Sequence, residues 1–131
     1  MIRVTAFALV LVLGGNGVAE AQADRNEQMA TYEPWCGGKT GLAQCVDQIV
    51  WVDQELKERE ALAKRTGRPD TANRGLSLMG CYNYCTLRYF PVETPQQCRT
   101  SMATFRQASK SRPALLKTSI RGYLDRECRK T

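Results

Sequence analysis

Six cysteines and no histidine, set behind an apolar N-terminal stretch, constrain this chain more than any other feature. The stretch opens with Met1, Ile2 and Arg3, continues through the ten mainly apolar residues Val4 to Leu13, and passes Gly14 and Gly15. Two small-residue cleavage sites follow, Ala19-Glu20-Ala21 and Ala21-Gln22-Ala23. A positive start, an apolar middle and an A-x-A site are the order of a secretory signal peptide. The apolar stretch is too short for a membrane-spanning helix, which needs about 20 residues. The expectation is a cleaved leader at residues 1–23 and a single domain at 24–131, located in the periplasm or secreted.

Export decides how the cysteines are read. In an oxidising compartment an even number of them forms a disulfide framework. Here they are Cys36, Cys45, Cys81, Cys85, Cys98 and Cys128. A zinc site would call for CxxC pairs or histidine partners, and the chain has neither. No metal and no cofactor are expected.

Charge is unevenly distributed. Residues 24–60 carry four basic and eight acidic side chains, and residues 61–131 carry fourteen basic and four acidic. That asymmetry predicts an acidic and a basic face. The basic half raises anionic lipid, acidic glycan or an acidic protein as partners. Its arginines are scattered and no nucleic-acid motif accompanies them, so nucleic acid is set aside.

Apolar spacing predicts helices throughout. Residues 24–39 read as an N-terminal arm, with Cys36 tying it to the body. Leu42, Cys45, Ile49, Val52 and Leu56 recur every three or four residues, which predicts a first helix over 40–65. Gly67 suits its C-cap and Pro69 its stop. Residues 66–75 are the clearest loop. A second helix is expected over 76–89, with Leu78, Cys81, Cys85 and Tyr89 on one face. Thr94, Pro95 and Gln97 form a helix start with a capping box, predicting a third helix to about Lys110, with Cys98, Met102 and Phe105 facing inward. Ser111 and Pro113 open a fourth, with Leu116, Ile120, Tyr123 and Leu124 inward and Cys128 at its end. The fold class is all-α, about four helices in a small disulfide-stapled bundle. The short connection near 90–94 makes the second and third helices antiparallel neighbours. Cys85 and Cys98 lie at similar distances from it, which predicts that they pair. Cys81 with Cys128, and Cys36 with Cys45, complete one of the 15 pairings that six cysteines allow.

Catalytic signals are weak. Histidine, the commonest general base, is absent. Asp53, Glu55, Glu58 and Glu60 lie in a Lys/Arg-laced stretch that reads as helix-stabilising pairs. Ser101, Ser109, Ser111 and Ser119 lack a nucleophile-elbow setting. Cys81 to Cys85 is a CxxxC and not the CxxC of thiol redox proteins. Gly37-Gly38-Lys39-Thr40 lacks the first glycine of a phosphate loop. The expectation is a non-enzymatic protein.

Binding signals are stronger. Tyr82, Tyr84, Arg88, Tyr89 and Phe90 crowd one short segment, and tyrosine and arginine are common interface anchors. The loop at 66–75 offers Arg68, Asp70 and Arg74 between two helices, and such a loop can enter an enzyme cleft at low ordering cost. The candidate partner-binding residues are therefore Arg68, Asp70, Arg74, Tyr82, Tyr84 and Arg88.

Two resemblances bear on the partner. The leader, Cys45 followed by Ile49, Val52 and Asp53, the helix opening Pro91-Val92-Glu93-Thr94, Pro113-Ala114-Leu115-Leu116, and the near-terminal Cys128 resemble small periplasmic immunity proteins that neutralise type VI secretion cell-wall amidase effectors. The chain departs from that family at Phe90, where a cysteine commonly precedes the proline. Thr40, Cys45 and Asp53-Gln54-Glu55-Leu56 resemble the C-x7-D-x-E-L helix of the lysozyme-inhibitor-like family of exported bacterial proteins, over residues 36–65. Both resemblances imply an exported helical protein that binds and blocks an enzyme acting on peptidoglycan. The alternatives are a basic module for anionic lipid or glycan of the envelope, or a structural subunit of an envelope assembly.

Overall fold

The computed structural model describes residues 19–70 and 75–130. Among them every regular element is helical and no strand occurs. Helix α1 covers residues 19–32. A 3-10 turn, Glu33–Cys36, leads to α2, Leu42–Thr66. Helices α3, Leu76–Tyr89, and α4, Pro95–Ser111, follow. A second 3-10 turn, Pro113–Lys117, precedes α5, Ser119–Cys128.

The three long helices lie where apolar spacing and end signals put them. Gly67 closes α2 in the left-handed region at φ 66°, a conformation that glycine adopts without a Cβ penalty. The capping box at α4 forms as its residues require. The Gln97 backbone N–H donates to Thr94 Oγ1 at 3.1 Å, and the Thr94 N–H donates to Gln97 Oε1 at 3.2 Å.

Two expectations change. The arm over 24–39 is helical as far as residue 32, and Met29 and Tyr32 pack against the core. Arg25, Met29 and Tyr32 follow helical spacing, but two apolar side chains are too few to announce a face. Both expected cleavage sites precede these three residues. The fourth helix splits into a 3-10 turn and α5. Thr118 is extended there, and its hydroxyl donates to the Leu115 carbonyl at 2.7 Å. A threonine hydroxyl that binds nearby backbone offers an alternative to the helical ladder. The turn changes the helical phase, so Leu115 is buried while Leu116, expected inward, is exposed.

Cys45, Val46, Ile49 and Val52 form the buried stripe of α2. Cys45, Val46 and Ile49 share one core with Cys81, Tyr84 and Cys85 of α3 and with Phe90, Phe105, Leu115, Ile120 and Leu124. Full burial of each large aliphatic side chain contributes about 1.5–3 kcal/mol.

All three expected cysteine pairings are corrected. The bridges are Cys36–Cys81, Cys45–Cys85 and Cys98–Cys128, and no described cysteine is free. Cys81 and Cys85 share one face of α3, and that face is covered by α2 and the turn leading into it. The expected neighbours are corrected as well: α3 packs on α2 and the turn before it, whereas α4 packs on the second 3-10 turn and α5. Cys98 therefore reaches the end of α5. Each bridge closes a loop of 30 to 45 residues, worth about 4 kcal/mol in the chain-entropy account.

A polar clasp joins α2 to α5. Asp53 Oδ1 accepts from the Ser119 N–H at 3.3 Å, satisfying a first-turn donor of α5. Lys57 pairs with Asp53 at 2.9 Å and donates to the Lys117 carbonyl at 3.1 Å.

Candidate binding surfaces

The first surface is the far end of α2. From Asp53 to Thr66 the helix contains no buried residue, although its first half supplies four. Fourteen residues at about 1.5 Å each make a rod roughly 21 Å long. Gly67 then turns the chain back on it. The Thr66 hydroxyl donates to the Leu62 carbonyl at 2.9 Å and accepts from the Arg68 N–H at 3.4 Å. Arg68, Pro69 and Asp70 thereby line a shallow pocket of 350 Å³ with Arg59, Leu62 and Ala63. Leu62 is 51% exposed. Arg74, the third loop residue expected here, lies outside the described residues.

The aromatic segment does not form one patch. Tyr84 is buried in the core, which corrects its assignment as a surface anchor: it faces the α3 neighbours that hold the fold. Phe90 is fully buried. Tyr89 is partly buried, and its hydroxyl donates to the Thr40 carbonyl at 2.7 Å. Arg88 is exposed with its guanidinium 4.9 Å from the Tyr89 ring centre, and it lines a cleft with Arg25 and Met29 of α1. Tyr82 lines another cleft, with Tyr32, Ser119 and Tyr123. There its hydroxyl lies 3.5 Å from Ser119 Oγ. Burial, then the negative charge of Glu127, raises the Tyr123 phenol above its ordinary value of 10.0. The five described candidate residues are thus dispersed. Arg68 and Asp70 sit together, Tyr82 and Arg88 lie in separate clefts, and Tyr84 is interior.

The second surface was not anticipated. Trp35 and Trp51, the only tryptophans of the chain, line the same groove and are 49% and 48% exposed. Gln44, Gln48 and Trp51 recur at four and three residues, off the buried stripe of α2. That spacing was the available signal. Trp35 precedes a cysteine by one residue, and the Cys36–Cys81 bridge fastens its turn to α3.

The sulfurs of Cys36, Cys81 and Cys85 lie within 4.8 Å of one another. All three are in disulfides, so they present no thiolate to a metal.

Fold and surfaces together define a small all-helical protein stapled by three disulfides, the covalent chemistry of an oxidising, non-cytosolic compartment. No helix among the described residues is long and apolar enough to cross a membrane. No protein-family model, no curated protein and no solved structure matches the chain.

Proposed function

We propose that this is an exported, non-enzymatic periplasmic protein that binds a peptidoglycan-degrading enzyme and occludes its cleft. The observation that carries this reading is the end of α2, a solvent-exposed rod whose base is held by the Cys45–Cys85 bridge and the Asp53–Lys57 clasp. A projection on a stapled base enters a cleft with little loss of conformational entropy. Leu62 supplies an exposed apolar contact, and Arg68 and Asp70 supply charge beside it. The signal-peptide pattern and the resemblance to immunity and lysozyme-inhibitor families support the choice of target.

The test is digestion of peptidoglycan by a lysozyme and a panel of amidases, with and without equimolar oxidised protein. Inhibition of one enzyme is expected. Leu62→Asp combined with Arg68→Glu should weaken it at least about tenfold, the loss of roughly 1.4 kcal/mol of contact. Inhibition unchanged by that double substitution removes the α2 end from the interface. Undiminished digestion by every enzyme counts against the inhibitor reading.

A second reading rests on a separate observation. Residues 95–124 contain six basic side chains and no acidic one. Arg99, Arg106 and Lys110 follow at helical spacing on α4, and all are exposed. This favours contact with anionic lipid or glycan. Salt-sensitive binding to protein-free envelope vesicles would support it, and no binding at low salt would end it.

A further inference from the structure

The groove between Trp35 and Trp51 has no part in the occlusion reading, and its chemistry is different. Its volume of 530 Å³ falls in the range of small-ligand sites, about 300–1,000 Å³. Between the two indoles its lining is Lys39, Gln44, Asp47, Gln48 and the Cys36–Cys81 bridge. No aliphatic side chain contributes. Its charged groups are Lys39 and Asp47, and Asp47 pairs with Arg112 at 3.0 Å.

Both walls are held in place. Trp35 sits in a 3-10 turn after Pro34, and the next residue is bonded to α3. Its ring rests directly on α3 at Gly80, where an added Cβ would come 2.6 Å from Trp35 Cγ. Trp51 stands on α2 seven residues after Gln44, on the helix that a second bridge fastens to α3.

We propose that this groove is a binding site for a saccharide. The face of an indole is electron-rich, and one face of a pyranose ring is a sheet of weakly positive C–H groups. Two half-exposed indoles thus offer stacking surfaces to a sugar ring. The hydroxyls at the ring's edge need partners that both donate and accept, which is what the Gln44 and Gln48 amides supply. A protein anchor side chain would require a dry, closed pocket, whereas this groove alternates polar groups with rings. The site does not depend on the inhibitor reading.

Because the groove holds both tryptophans, tryptophan emission reports on this site. The experiment is a titration of the oxidised protein with N-acetylglucosamine oligomers and, separately, with cello-oligosaccharides, followed by tryptophan emission and by calorimetry. Saturable binding of at least one series is expected, and the two arms tell an N-acetylated sugar from a plain glucan. Trp51→Ala should lower the calorimetric affinity about tenfold or more, because it removes one of the two stacking faces. The Gln44→Ala/Gln48→Ala double substitution, on an exposed face, should lower it several-fold with the helical circular dichroism unchanged. Absence of binding to both series at millimolar sugar overturns the assignment. So does an affinity that the glutamine substitutions leave unchanged. Calorimetric binding of a hydrolase that Trp51→Ala abolishes, with neither sugar bound, overturns it too, and gives the groove to a protein interface. Inhibition retained by Trp51→Ala alongside lost sugar affinity separates this site from the α2 end.

Discussion

The two halves of α2 are one continuous helix with opposite roles. Residues 42–52 hold four buried side chains, a cysteine bonded to α3 and one wall of the tryptophan groove. Residues 53–66 hold no buried side chain and end in the turn that carries Arg68 and Asp70. Backbone hydrogen bonding is the same in both, so the difference comes from what packs alongside. The first half is stabilised by tertiary contact. The second relies on its own helix formers, on pairs such as Lys64 with Glu60 at 3.6 Å, and on its rigid base. A surface of this kind can change sequence freely without endangering the fold, which suits a segment that meets a partner.

The largest expected effect tests the stapled half. Replacing Cys45 and Cys85 by serine should lower unfolding stability by about 2–5 kcal/mol, read from denaturant unfolding under non-reducing conditions. Loss below about 1 kcal/mol would mean that packing alone fixes α2 on α3. Next comes a direct contrast along one helix. Ile49→Ala should cost about 2–5 kcal/mol, because it empties a fully buried site. Leu62→Ala should stay within about 0.5 kcal/mol. Similar losses at the two positions would dissolve the distinction between the halves. The smallest effect lies at their junction. Asp53→Ala removes both the bond to the Ser119 N–H and the Lys57 pair, for about 1 kcal/mol, the usual worth of a cap. Amide exchange at the start of α5 should accelerate in that variant while exchange at Cys85 stays slow.

The candidate surfaces were legible to unequal degrees. The loop residues Arg68 and Asp70 stood out because turn formers and charges interrupt an apolar pattern. Tyr84 was misplaced because a dense aromatic segment does not say which of its rings lie under the helix. The tryptophan groove escaped notice because its walls come from residues 35 and 51, and Trp35 belongs to no periodic pattern at all.

Sequence alone determined the all-helical class, the ends of α2 and α3 and the start of α4, and the presence of a disulfide framework. These follow from local rules: apolar period, Gly and Pro at helix ends, and a capping box within four residues. Tertiary structure alone decided which cysteines pair, where the last helical segment breaks, and that two distant tryptophans share one groove. Each of these depends on helical phase and on which helix lies alongside. A phase shift of one residue turns a side chain by about 100°, and spacing along a chain carries no record of what waits on the other side.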